Sequence, residues 1–437
     1  MFAYQLRLAW KSLRRNPGLS ILSVVGIGLG IGVATTFVTT YYMLSGNPIP
    51  QKSDKLFYVQ LDSWSPERSY DRDHPDLPPD QVTYRDMAEI MKSKIPTHAG
   101  GMFKADLTVH PAGDGQKPFR QLVRMCFADF FPMFDVPFQF GSGWDARADA
   151  GPEAVIVLDD EINRKLFGGE NSVGRTLLIE DREFRIVGVL APWKPLPKFY
   201  DVTNDPFDAP EGIFMPFNFV RPMEINTAGN TSNWGDGSGD GFEGFLQSET
   251  VWIQMWAQLE DEEQVQTYRA FLDAYVNEQK KLGRFPRPIN NRLSPVMTML
   301  KDQGAAPEEA VGVLIIAILF LVVCSVNLIG VLLGKFLARA PEVGVRRALG
   351  ASRRWVFVQH LVECELIAVL GAVLGLGLAA LGLELLNRMF EAQFAFRLDL
   401  PMVGAGVLLA LVSGLVAGIY PAYRICRIAP AMYLKTQ

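Results

Sequence analysis

Cysteine, histidine and charge are all scarce in this sequence, and each scarcity removes a class of function. There are four cysteines in 437 residues. Cys324 and Cys364 lie inside long apolar runs and Cys426 follows the last one, which leaves Cys126 alone in the large polar stretch, where no internal disulfide can form. The four histidines, His74, His98, His110 and His360, show no paired spacing of the kind metal sites use. No nucleophile stands at a recognisable distance from a base, so an enzyme has no chemistry to rest on. Charged residues make up only 20% of the chain, and the net charge of −5 is distributed unevenly. The stretch between the first and second apolar runs is acidic while the rest is basic, which argues against a nucleic-acid partner, because backbone phosphates require a basic face.

What the sequence does have is long apolar runs. Ser20 to Leu44, Val311 to Leu333, Leu361 to Leu386 and Pro401 to Tyr420 each reach the roughly 20 residues that a bilayer-crossing helix needs. The first could also be read as a cleaved signal peptide, but it is too long, and no small-x-small cleavage site follows it. Lys and Arg set the orientation. Arg7, Lys11, Arg14 and Arg15 precede the first run. Lys335, Arg339, Arg346, Arg347, Arg353 and Arg354 lie between the second and third, and Arg424, Arg427 and Lys435 follow the fourth. Only Arg388 and Arg397 occupy the loop between the third and fourth. Both termini are therefore expected in the cytoplasm, with residues 45–307 outside. The expected domains are an amphipathic cytoplasmic helix over 1–19, a first span over 20–44, an outer α+β domain over 45–307, and 308–437 carrying the spans 311–333, 361–386 and 401–420.

Within the outer domain, Leu56 to Gln60, Phe119 to Phe127 and Val155 to Leu158 read as strands, and Arg175 to Ile179 with Phe184 to Leu190 as a hairpin. Gln81 to Lys94 reads as a short helix. Asp159 or Asp160 can cap another that runs to Phe167 and stops at Gly168 and Gly169. Val251 to Leu259 reads as a strand. Asp261 to Leu282 reads as an amphipathic helix, opened by acids, closed by Lys280 and Lys281, and stopped by Gly283. Arg221 to Ser248, rich in Gly, Asn, Ser and Asp, reads as a long loop or surface insertion.

Several apparent sites weaken on inspection. Gly169 to Thr176 nearly fits a phosphate-binding loop, but Arg175 stands where a lysine should reach the phosphates, so a turn is the better reading and any ATPase, with its ATP and Mg, is expected on another chain. Asn233, Asp236, Asp240, Glu243 and Glu249 offer oxygen ligands without the ordered spacing of a calcium loop. No cofactor or metal is therefore expected on this chain. Glu363 and Glu365 near one end of a span, and Glu384 near the other, are read as solvated at interfaces. Small-xxx-small pairs are more specific: Gly26, Gly28, Gly30 and Gly32 in the first span, Gly371 and Gly375 in the third, Gly414 and Gly418 in the fourth are expected to let helices approach closely.

Between the second and third spans, Pro341 suits a helix start, Gly350 a stop, and Ser352 the cap of the next helix. A short helix over 341–349 is expected along the cytoplasmic face. Val343, Val345, Ala348 and Leu349 would give it apolar contact and Glu342, Arg346 and Arg347 charge, around Gly344 and ending at Gly350.

Three regions together resemble the MacB/FtsX-like ABC transporter permeases. They are Leu8-Ala-Trp-Lys-Ser-Leu-Arg-Arg-Asn-Pro before the Gly-rich span; Val155 to Arg175 with Phe184-Arg-Ile-Val-Gly-Val; and Pro341 to Arg354 with the closing Gly418-Ile-Tyr-Pro-Ala-Tyr-Arg and Ile428-Ala-Pro-Ala-Met-Tyr-Leu. The resemblance implies a multi-pass bacterial inner-membrane protein with a periplasmic MacB-like domain and an FtsX-like transmembrane domain. It also implies a second permease, identical or homologous, and a cytoplasmic ATPase dimer docked on 341–349. The expected role is mechanical transmission of ATP hydrolysis to the periplasmic domain for export. A periplasmic adaptor and an outer-membrane channel are further possible partners, and activation of a cell-wall hydrolase is the alternative role.

Overall fold

Four helices among the described residues are long and apolar enough to cross a bilayer: Pro17–Ser45, Val311–Leu337, Arg353–Arg388 and Leu400–Cys426. They belong to a computed structural model that describes residues 2–111, 117–151, 153–235, 240–305, 308–389 and 396–427. Each helix contains the apolar run expected of it and extends beyond it. Hydropathy falls where charged residues begin, but backbone groups near the bilayer still need internal partners, so the helix continues. The chain forms two units, Met1–Ser45 with Pro307–Gln437, and Gly46–Ala306.

In the membrane unit, glycine decides how close the spans come. A β-carbon placed on Gly32 would lie 3.1 Å from the Gly375 carbonyl oxygen of the third span, and one on Gly28 3.2 Å from that of Gly371. Gly30 points the other way, where the added carbon would lie 2.9 Å from Cys324 Cβ of the second span. Gly414 and Gly418 of the fourth span come closer still to the third, where a carbon added on Gly418 would lie 2.7 Å from Cys364 Cβ and one on Gly414 nearer yet to Ala368 Cβ. The small residues are thus spent on contacts within the chain. Gly26 is the exception: it lies one turn before Gly30, where no neighbouring helix approaches within 4 Å.

The inserted unit is built on one mixed sheet of eleven strands among the described residues. They are β1 Leu56–Gln60, β2 Val82–Thr83, β3 His98–His110, β4 Phe119–Cys126, β5 Phe138–Gly141, β6 Val155–Leu158, β7 Thr176–Ile179, β8 Arg182–Leu190, β9 Ile213–Pro216, β10 Val251–Gln258 and β11 Arg292–Pro295. The main path runs β11-β1-β10-β3-β4-β9-β6-β8-β5, with β4–β9 and β6–β8 parallel. Alternation divides the side chains between two cores. Phe57 and Val59 of β1 enter one, which the helix Glu262–Lys281 covers with Val265, Tyr268, Leu272 and Val276. Leu56 and Tyr58 enter the other, an aromatic core around Phe130, Phe134, Tyr200 and Trp256. An α+β domain therefore lies between the first and second spans.

Three expectations change. The helix expected from Gln81 begins only at Tyr84, because Val82 and Thr83 pair with β10 and the Thr83 hydroxyl then caps the helix by accepting from the Asp86 amide. The central thirteen-residue strand β3 was not expected, although Phe103, Ala105, Leu107 and Val109 alternate with Lys104, Asp106, Thr108 and His110 as a strand should; only its first half, with Gly100 and Gly101, lacks that period. Gly101 is required by packing, because a β-carbon there would lie 2.5 Å from Met87 Cγ. The stretch 221–248 lies mostly at the surface among its described residues, as an insertion should, but it is anchored: Ile225 and Leu246 are buried in the core, residues Gly241–Gln247 form a helix, and Trp234 Nε1 donates to the Ser63 carbonyl at 2.9 Å.

Candidate functional site

The basic end of the membrane unit brings together residues that are far apart in sequence. The helix Phe2–Arg15 buries Ala9, Ser12 and Leu13 and exposes Arg7, Lys11, Arg14 and Arg15. The helix Ala340–Ala348 has Pro341 and Glu342 in its first turn and Arg346 and Arg347 in its last, which suits its dipole. Gly350, at φ +103°, ends this segment. The Ser352 hydroxyl then accepts from the Trp355 amide at 3.2 Å and opens the third-span helix.

Beneath this helix lies an ionic cluster. Glu363 is 2% exposed and Lys335 fully buried, and they meet at 2.9 Å. Arg339 Nη1 stands 3.6 Å from the same carboxylate and Nη2 donates to the Ser12 carbonyl at 2.8 Å. The Ser12 hydroxyl donates to Glu363, and Lys335 Nζ donates to Ser20 Oγ at 3.0 Å. One carboxylate thus ties the N-terminal helix, the start of the first span and the end of the second span to the third. The expectation of a solvated Glu363 is corrected here: Lys335 and Arg339, read for orientation, are also its partners. A buried carboxylate needs paired cations, and the helix ends supply them. Glu365 instead keeps Oε1 buried with no hydrogen-bond partner among the described residues, and Glu384 pairs with Arg388 one turn on at 2.9 Å. The Lys335 and Arg339 spacing of i, i+4 was a signal for a shared partner, but nothing in the sequence pointed to Glu363 or Ser12 as that partner.

On the surface of the 340–348 helix, the charged residues expected to face a partner already have contacts within the chain. Arg346 meets Glu342 at 2.7 Å and Gln359 at 3.3 Å, and Glu342 also meets Arg15 at 3.1 Å. Arg347 donates to the Cys426 carbonyl at 3.1 Å. Val343 and Gly344 are buried. What faces outward is apolar, with Val345 48% and Leu349 83% exposed, next to exposed Pro341, Ala348 and Gly350. A depression of about 540 Å³ adjoins Leu349, walled by Tyr4, Leu8, Ala351 and Trp355. The arrangement is a rigid apolar projection, braced by ion pairs, beside a shallow socket.

The other sequence candidates have structural roles. Gly168 and Gly169 take positive φ at the end of the helix Asp160–Phe167, Gly174 does so before β7, and Arg175 lies over the Phe167 ring. A strand rather than a helix follows, so no helix N-terminus faces a phosphate there. Glu249 binds Arg284 and Arg85, Glu243 binds Arg221, and Asn233 donates to Thr250. Asp236 lies outside the described residues, as do 428–437 with the Ile428-Ala-Pro-Ala-Met-Tyr-Leu part of the closing motif. His98 Nδ1 lies 3.0 Å from Asp129, and His360 Nδ1 is 2.8 Å from the Val356 carbonyl oxygen. Among the described residues no three His, Cys, Asp or Glu side chains group as metal ligands would.

Sequence reasoning also missed a buried ion group in the inserted unit. Arg124 of β4, fully buried, pairs with Asp201 and Glu211, and Lys198 stands 3.4 Å from Glu211. Burial alone would raise the Glu211 carboxyl, but the Arg124 and Lys198 charges overcome it and hold the group at about 2. The group fastens the segment 198–211 across the sheet.

Residues 20–275 match the MacB-like periplasmic core domain and residues 314–430 the FtsX-like permease C-terminal domain. The chain belongs to the MacB/FtsX-like ABC transporter permease family. Among its relatives, the pyoverdine export ATP-binding/permease protein PvdT of Pseudomonas entomophila (strain L48) is 24% identical over 439 residues, covering 99% of this permease and 59% of that protein. The macrolide export ATP-binding/permease protein MacB of Acinetobacter baylyi (strain ATCC 33305 / BD413 / ADP1) is 22% identical, covering 71% of this chain and 41% of that one. The permease thus spans about three fifths of the length of the curated PvdT relatives it matches. Among solved structures, the periplasmic region of MacB from Actinobacillus actinomycetemcomitans is 11% identical with a TM-score of 0.36, over 59% of this chain and 97% of that one.

Proposed function

We propose that this chain is the membrane subunit of an ATP-driven exporter and that the helix Ala340–Ala348 receives the stroke of a cytoplasmic ATPase. The observation that carries this reading is the exposed Val345 and Leu349 pair, standing on a helix whose buried side rests on the Glu363 cluster. An apolar knob beside a shallow depression suits a groove on a soluble partner, and the ion pairs beneath it brace the support. The first span and the helix Glu308–Leu337 are the covalent links from the membrane unit to the inserted one, so tilting them would move the inserted domain. The export named for the PvdT and MacB relatives is consistent with such a motion.

On this reading the termini and the 340–348 helix are cytoplasmic and the inserted domain periplasmic. ATP and Mg are bound by the partner, and a second permease completes the pair. Copurification tests the reading: Val345→Asp with Leu349→Asp abolishes association with the ATPase while the protein still inserts. Wild-type ATPase recovery from the double variant rejects the assignment.

A further inference from the structure

Beside the N-terminal helix the membrane unit has a second cavity, of about 370 Å³, in the size range of roughly 300–1,000 Å³ typical of small-molecule pockets. Its walls come from the N-terminal helix, the first span and the third span, and are apolar: Pro17, Ile21, Val25 and Leu370 among them. Its polar mouth is made by Trp10 and Arg14. The Arg14 guanidinium carbon lies 5.4 Å from the centre of the Trp10 ring, and among the described residues no carboxylate pairs with it. This differs from Lys335 and Arg339, which meet Glu363, and from Arg15, which meets Glu342.

The surroundings fix the kind of ligand. The helix Phe2–Arg15 exposes Leu6 and Trp10 together with Arg7, Lys11 and Arg14, the pattern of a helix lying in a membrane interface. Indole rings settle at headgroup depth, and basic residues just outside a span attract anionic headgroups. A cation at the mouth and an apolar channel running along the span match an amphiphile with a negative head and a hydrocarbon tail. We infer that this groove binds one anionic phospholipid, with its phosphate against Arg14 and Trp10 and an acyl chain along Ile21, Val25 and Leu370. The lipid would wedge the N-terminal helix at a fixed angle to the first span.

The test is native mass spectrometry of the full chain in detergent, titrated separately with phosphatidylglycerol, phosphatidylcholine and inorganic phosphate. The wild type retains one phosphatidylglycerol in preference to phosphatidylcholine, and phosphate alone does not compete. Arg14→Gln weakens phosphatidylglycerol retention about fivefold, the size of one interfacial cation, and removes the preference. Val25→Phe, which fills the exposed groove, removes the bound lipid while Arg14 is intact. Equal retention of both lipids by the wild type, displacement by inorganic phosphate, or unchanged retention in both variants overturns the site.

Discussion

Removing the charge from Glu363 probes the support on which the 340–348 helix rests. Glu363→Gln keeps the shape and leaves Lys335 fully buried, with Ser20 Oγ at 3.0 Å but without its carboxylate. Arg339 and Ser12 face a neutral amide oxygen in place of the same carboxylate. Breaking a buried pair from one side typically costs about 3–5 kcal/mol, because an uncompensated charge remains. For a unit of this size each kcal/mol lowers Tm by roughly 2–4 °C, so a fall of roughly 6–20 °C is expected for the membrane unit. The assay is thermal unfolding of the purified full chain in detergent, followed at residues of the membrane unit by cysteine accessibility. A second variant separates the pair from the site: Lys335→Met with Glu363→Leu replaces it by apolar groups and recovers most of the loss, since such exchanges are often neutral. A Glu363→Gln protein that melts within about 2 °C of wild type refutes the buried-pair reading, as does a double variant less stable than the single.

Gly32→Leu drives a side chain into the Gly375 carbonyl and lowers bundle stability by about 1–3 kcal/mol, whereas Gly26→Leu, facing open space, is neutral; equal melting of the two would contradict the packing. The inserted domain responds to pH through buried carboxylates. Burial raises Asp80 and Asp149 to about 6 and Asp159 to about 7, so the folded form holds these protons more tightly than the unfolded chain, and stability falls as pH rises from about 4 through 7. Glu211, held at about 2, acts oppositely, contributing stability above the ordinary carboxylate value that is lost as pH falls through 2. Tryptophan fluorescence melts should therefore give a lower Tm at pH 7.5 than at pH 5, with Asp159→Asn reducing the difference; a Tm that rises over this range opposes the assignment.

Local signals in the sequence mapped well onto local structure. The cap expected at Asp159 or Asp160, the acidic opening at Asp261, the stops at Gly168 and Gly283 and the four apolar runs each depend on residues within a turn or two, and each corresponds to an element that forms there. Long-range chemistry was not legible. Glu363 has Ser12 as a partner 351 residues away, and Arg124 has Asp201 and Glu211 at separations of 77 and 87, and beyond the i, i+4 spacing of Lys335 and Arg339 nothing local marks these residues as buried partners. Strand β3 was legible in part: Phe103 to His110 alternate apolar and polar residues, whereas Gly100 and Gly101, the latter kept small against Met87, interrupt the pattern at its start. On the 340–348 helix the composition showed both apolar and charged residues but not which face each occupied. Only the fold turns the arginines to their intrachain partners and leaves Val345 and Leu349 outward.

The docking of an ATPase on the 340–348 helix is tested most directly by site-specific photocrosslinking in cells, with the reactive residue in place of Leu349 and, as control, in place of Leu282, an equally solvent-facing residue of the inserted domain. The expected result is an adduct between position 349 and an ATP-binding chain, absent at 282 and lost when Val345 is also changed to Asp. Normal insertion with no adduct at 349, or equal adducts at both positions, would contradict it.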